Sequence, residues 1–180
     1  MLLDYLACKK LYTNAYQLAK AINDKRIYRI ERGIYSDSPY APELAVIQKK
    51  YPMAIFTLES AFYYHELTTE IPECYHIATA AKAARLKDTR IKQVYVPNNV
   101  LSLGLIEKEQ EGTVIRIYDK ERMLIELMRY KDKLPYDYYK EIVIGYRDMV
   151  YKLDVQRLEE YTEKFPKSQL IWNRLLNEVF

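Results

Sequence analysis

Arg26-Ile27-Tyr28-Arg29-Ile30-Glu31-Arg32-Gly33-Ile34-Tyr35 decides how the first part of the chain folds. Two short β-prone pieces flank Glu31-Arg32-Gly33, and Gly33 can take the positive φ that closes a tight hairpin. Arg26, Arg29 and Arg32 stud the stretch. Just before it, residues 13–22 read as a short amphipathic helix, with Ala15, Leu18, Ala19 and Ile22 at the i, i+3, i+4, i+7 spacing of one buried stripe. A side-chain oxygen of Thr13 or Asn14 can cap its start. Tyr16, Gln17, Lys20 and Asn23 then lie away from the stripe. Residues 2–10 read as an earlier helix with Leu3, Leu6 and Ala7 turned inward. Two helices followed by an arginine-bearing hairpin are the outline of a winged helix-turn-helix. In that motif one helix enters the major groove, and the hairpin follows the backbone or the minor groove.

Charge reinforces this outline. The 180 residues carry a formal net charge of +3. Residues 1–36 hold Lys9, Lys10, Lys20, Lys25, Arg26, Arg29 and Arg32 against Asp4, Asp24 and Glu31, which is +4. The remaining 21 basic and 22 acidic residues sum to −1. A basic module beside a near-neutral body is the electrostatic footprint of phosphate binding.

The polar stretch 36–42, with two prolines, reads as a linker, giving domains at 1–37 and 43–180. Beyond it the pattern alternates. Residues 43–51 read as a helix stopped by Pro52, 53–56 as a short buried strand and 58–65 as a helix. Residues 75–79 and 91–96 read as strands, and 106–109 with 113–118 as a hairpin around Gly112. Asp119 caps a helix to about residue 130, with Met123, Leu124, Leu127 and Met128 facing in. Helices near 136–151, 154–164 and 168–179 follow. The expected fold is α+β: a small N-terminal winged helix-turn-helix, then a mixed domain with a helical C-terminal tail.

Composition removes several classes. With 49% hydrophobic residues the chain is not globally disordered. Two cysteines exclude a disulfide scaffold and a multi-cysteine zinc site. There is no run of eighteen apolar residues, and the start lacks a secretory signal, so a cytoplasmic protein without membrane partners is expected.

Catalytic strings are missing. His65 and His76 lack Cys or carboxylate partners at metal-ligand spacing and read as structural. No G-x-S-x-G, H-E-x-x-H, Walker A or G-x-G-x-x-G string occurs. Cys74 reads as an inert core thiol at the start of a buried strand, and Asp119-Lys120-Glu121-Arg122 as a capped helix start rather than a site. Glu70, Glu73, Glu107, Glu109 and Glu111 read as solvated acids near turns. The expectation is no enzyme and no cofactor or metal.

Arg29-Ile30-Glu31-Arg32-Gly33-Ile34-Tyr35 resembles the R-x-x-R-G-[VI]-Y wing that closes the N-terminal domain of AbiEi-type antitoxins, the antitoxin half of type IV toxin–antitoxin (abortive infection) systems. Ser60-Ala61 with His65-Glu66-Leu67 resembles that family's S-A-x-x-x-H-G-L segment, with Glu66 standing where glycine is usual. Ile71-Pro72 before the 75–79 strand fits the next block, and residues 115–124 resemble its x-D-x-E-R-T-L block, with Met123 in place of threonine. The resemblance covers roughly residues 11–165, and only about ten residues precede Leu11, so it describes a trimmed DNA-binding fold. It implies an antitoxin that represses its own operon by binding operator DNA and counteracts a nucleotidyltransferase-type toxin.

The residues expected at DNA are Tyr16, Gln17, Lys20 and Asn23 from the helix, and Lys25, Arg26, Arg29 and Arg32 from the wing. Lysines and arginines would hold phosphates, and Gln17 and Asn23 would meet adenine edges. The rival readings are a protein-interaction module that does not bind DNA, and a metal-dependent nuclease or nucleotidyltransferase built on scattered carboxylates.

Overall fold

The computed structural model describes residues 1–180, which form a mixed α+β fold in two compact units. One comprises residues 1–53 with 111–113, and the other 54–110 with 114–180.

The first unit runs β1 (Leu2–Asp4), α1 (Tyr5–Leu11), α2 (Ala15–Asn23), β2 (Tyr28–Glu31), β3 (Ile34–Ser36) and α3 (Glu43–Lys50). β3 is the middle strand and runs antiparallel to both neighbours, with Tyr35 opposite Leu3 on one side and Arg29 on the other. Gly33, at φ +84°, closes the β2–β3 turn. The helix expected from residue 2 therefore starts at Tyr5. Leu2 and Leu3 instead satisfy the ladder groups of β3, which would otherwise be an exposed edge. Asp4 makes the change of direction: its carboxylate accepts the Ala7 N–H at 2.8 Å and caps α1. Leu6, expected inward, is 71% exposed, and Cys8 is the residue of α1 that enters the core.

α2 forms where its spacing predicts, with Asn14 accepting the Gln17 N–H at 2.9 Å. Its buried side differs from the expected stripe. Leu18 and Ala21 are buried and Ile22 is half-buried, whereas Ala15 and Ala19 are exposed. The cause is the turn that follows. The carbonyl of Ala21 accepts the N–H groups of both Arg26 and Ile27, which folds the chain back over that side. Cys8, Leu18, Ala21, Ile27 and Tyr35 then make one small core.

The polar stretch 36–42 does not end this unit. Ser36 Oγ accepts the Ser38 N–H, and Ser38 Oγ accepts the Tyr40 N–H. These two short turns return α3 onto β1 and β3, so the first unit extends to Met53 rather than stopping at residue 37.

The second unit contains β4 (Ile55–Phe56), α4 (Leu58–Tyr64), β5 (Tyr75–Ala80), β6 (Ile91–Val96) and the short α5 (Asn98–Leu101). The β7 (Leu105–Gln110) and β8 (Thr113–Tyr118) hairpin follows, then α6 (Lys120–Tyr130), α7 (Tyr136–Asp148), α8 (Val155–Glu163) and α9 (Ser168–Glu178). The five-stranded sheet has the order β6-β5-β4-β8-β7. β4 is antiparallel to β5 and parallel to β8, while β5 and β6 are parallel. β4 is only two residues long, because Met53 is 76% exposed and stays outside the expected strand.

Asp119 caps α6 by accepting the Arg122 N–H at 2.8 Å. Met123, Leu124, Leu127 and Met128 face inward as the periodicity predicts, but every residue from Glu121 to Met128 is buried. α6 is thus a central helix, with α4, α8 and α9 packed against it. Glu66, just after α4, adopts φ +60°. No helix is long and apolar enough to cross a membrane.

Candidate nucleic-acid interface

The first unit separates a buried side from a cationic one. On α2, Tyr16, Lys20 and Asn23 stand at i, i+4 and i+7, opposite buried Leu18 and Ala21, and all three are exposed. Gln17 lies beside them. Its Oε1 accepts the Thr13 N–H at 3.1 Å, which holds the side chain over the helix start and leaves its amide NH2 as a donor.

Lys25 and Arg26, expected on the wing, lie instead in the turn between α2 and β2. The chain bends there because Lys25 takes φ +55° and the Arg26 N–H turns back to Ala21. The Arg26 guanidinium meets Asp24 at 3.0 Å. Arg29 is on β2 and Arg32 in the hairpin turn, both exposed. Lys9 and Lys10, which were not among the expected site residues, are exposed in the last turn of α1. Their only sequence signal was their share in the N-terminal charge excess.

Four acids of this unit, Asp4, Asp24, Glu31 and Asp37, are engaged by cations. Lys49 Nζ lies 3.3 Å from Asp4, and Lys50 Nζ lies 2.8 Å from Glu31. Asp24 holds Arg26, and Asp37 holds the N-terminal amine of Met1. The Ala7 N–H and then Lys49 hold the Asp4 carboxyl below its ordinary range, and the N-terminal amine does the same for Asp37. Arg29, Arg32, Lys9, Lys10, Lys20 and Lys25 form no salt bridge with a carboxylate; Lys9 sits over the Tyr5 ring at 5.1 Å. A surface of this kind attracts phosphates at long range and can hold them through guanidinium and ammonium groups.

The second unit places the two histidines inside. His65 Nε2 is 2.6 Å from the Tyr118 carbonyl oxygen, which makes it the protonated ring nitrogen. Burial pushes the pKa of both His65 and His76 down to about 4, so both are neutral near pH 7. Cys74 is half-buried rather than a core thiol, because it precedes β5 at the rim of a cavity instead of lying within the strand. Asp119 is spent on its cap and on Tyr161, whose hydroxyl donates to it at 3.0 Å. Arg122, in the same tetrad, is fully buried, which its charge did not foreshadow. Glu70, Glu73, Glu107, Glu109 and Glu111 are exposed. No family model and no curated protein matches the chain.

Proposed function

We propose that the first unit is a winged helix-turn-helix that binds DNA through α2 and the β2–β3 hairpin. We propose further that the chain is an antitoxin and autorepressor of the AbiEi type, opposing a nucleotidyltransferase-type toxin. The observation that carries this reading is the distribution of charge pairs. The carboxylates of Asp4, Asp24, Glu31 and Asp37 are held by cations, while Lys9, Lys10, Lys20, Lys25, Arg29 and Arg32 have no carboxylate partner. The path β1-α1-α2-β2-β3 with strand order β1-β3-β2 supports it, since it places one helix and one hairpin side by side in sequence. Glu66 supports the family reading: it holds a left-handed backbone where the resembled segment usually has glycine.

In this reading Lys20, Lys25, Arg26, Arg29 and Arg32 fix the protein on phosphates, and Tyr16, Gln17 and Asn23 face the groove. The test is fluorescence anisotropy on DNA from upstream of the chain's own reading frame, at several salt concentrations. The double variant R29A/R32A should bind more weakly, and its log K against log[salt] slope should flatten by about 0.9 per lost phosphate contact. Unchanged affinity and slope would remove the hairpin from the interface. Co-expression with a nucleotidyltransferase-like toxin from the same operon tests the antitoxin role separately: restored growth supports it, and continued growth arrest overturns it.

A further inference from the structure

The five-stranded sheet ends at β6. The Arg90 carbonyl accepts the Tyr75 N–H at 2.8 Å, which sets the phase of the parallel β5–β6 ladder. In such a ladder every second residue turns its amide and carbonyl to the neighbouring strand. Lys92, Val94 and Val96 therefore bond toward β5. Gln93 and Tyr95 turn both backbone groups to the open side, where no backbone group of the chain meets them. Residues 81–90, which connect β5 to β6 without a helix, do not pair with that edge. The side chain of Gln93 holds them over one face of the sheet instead. Its Oε1 accepts the Leu86 N–H at 2.8 Å, and its Nε2 donates to the Ala84 carbonyl at 3.1 Å and to Thr79 Oγ1 at 2.8 Å. An open groove of about 920 Å³ is left between residues 85–89 and β6, with Arg85, Lys87, Lys92, Gln93 and Tyr95 in its lining.

Charge selects the occupant. Arg85, Lys87 and Lys92 are exposed along the groove, and Lys82 is exposed in the same connection. Arg85 and Lys87 form no ion pair, and Lys92 Nζ is 3.9 Å from Glu59. The one carboxylate in the lining, Asp88, is held by Arg90 through contacts of 2.9 and 2.7 Å. Unspent cations thus stand beside unspent backbone donors and acceptors. Phosphates would use only the cations, whereas an extended peptide matches the alternating amide and carbonyl groups as well. A second copy fits poorly. Two β6 edges would set these cations against one another. Pairing β6 with β7 of another copy, which carries Glu107 and Glu109, is head-to-tail and would string copies into a fibre. We propose that the β6 edge takes up an extended acidic segment of a partner protein as an added strand. Its backbone bonds to Gln93 and Tyr95, and its carboxylates meet Arg85, Lys87 and Lys92. This surface is independent of the DNA-binding reading.

The experiment uses the full chain and a dye-labelled heptapeptide of alternating Glu and Val, with a Lys-Val peptide of the same length as control. Anisotropy should show saturable binding of the acidic peptide that weakens with salt, and none of the basic one. Two forms of the acidic peptide, N-methylated along one edge or the other, keep the charge but lose donors on opposite sides. The form whose methyls meet β6 should bind at least tenfold more weakly than the other. Arg85→Glu combined with Lys87→Glu should also weaken binding at least tenfold, at an unchanged melting temperature. Amide exchange read by NMR should slow at Gln93 and Tyr95 on peptide addition and stay as it was at Lys92 and Val94, whose N–H groups already serve the ladder. No saturable binding, equal binding of the two methylated forms, equal binding by the charge-reversed variant, or unslowed exchange at Gln93 and Tyr95 would each overturn the proposal. Oligothymidylate binding that the variant abolishes, with no amide protection by peptide, would give the groove to nucleic acid instead. Self-association that the variant abolishes would give the edge to a second copy and overturn the proposal as well.

Discussion

The guanidinium of Arg122 lies fully buried against the carboxylate of Glu126, one helical turn further along α6, with Nη2 and Nε at 2.8 and 3.0 Å from the same oxygen. Its Nη1 donates to the carbonyls of Val100 and Leu103, and the rings of Tyr118 and Phe165 each stand 4.5 Å from its central carbon. Glu126 also accepts from Arg129 at 2.6 Å. This one side chain joins α6 to the α5 region and to the start of the β7–β8 hairpin. Arg122→Met should lower the unfolding free energy by about 3–5 kcal/mol, because Glu126 would keep its buried charge with one partner fewer. Urea denaturation at pH 7 measures it, and a loss below about 1 kcal/mol would contradict the role assigned to the pair.

Gly104 meets the same side chain. At φ +75°, a Cβ there would stand 2.5 Å from the Arg122 Cβ and 2.9 Å from Asp119 Oδ1. Gly33 and Gly112 also have positive φ but face open space. Alanine at Gly33 or Gly112 should cost about 1–2 kcal/mol from backbone strain alone. Gly104→Ala should cost clearly more, because the clash adds to the strain. Denaturation midpoints of the three variants give the order, and equal losses would refute the steric contribution.

Glu66 points the other way. It holds φ +60° with an exposed side chain, so glycine would relieve strain there without uncovering any core. Glu66→Gly should raise stability by up to about 1 kcal/mol, the part of the strain that the added freedom of the unfolded chain does not offset. A higher melting temperature checks the sign.

Acid should weaken the fold through its histidines. Burial lowers His65 and His76 from 6.5 to about 4, so the unfolded chain binds their protons first as the pH falls. Stability from this source is complete above about pH 6.5 and declines between pH 6.5 and 4, by up to about 3 kcal/mol per histidine. Histidine Cε1 resonances should stay at neutral-form positions at pH 5.5. Titration of either ring near 6.5 would refute the burial argument.

Local features were readable in the sequence because each follows from one or two neighbouring residues. Gly33 and Gly112 mark their hairpins, Asn14 and Asp119 mark two helix starts, and 3.6-residue spacing locates the helical tail. What escaped depends on partners far along the chain. Leu2 and Leu3 look helical until β3 is present to pair with them. Ala21 outranks Ala19 only because Ile27 folds back over it. Arg122 carries no local signal of burial, because what surrounds it is the Val100 and Leu103 carbonyls and the rings of Tyr118 and Phe165.

The pairing of Lys50 with Glu31 has a consequence for dissecting the molecule. Glu31 is the sole anion of the hairpin stretch, and its neutraliser arrives from α3, beyond the polar turn. A fragment cut at Ser36 would keep every hairpin arginine yet lose that muzzle. Without that ion pair the Glu31 carboxylate would add more negative potential beside Arg29 and Arg32. If the proposed DNA contact holds, a truncated head would grip nucleic acid more feebly than its formal charge promises, whereas one ending at Met53 would keep the Lys50–Glu31 pair.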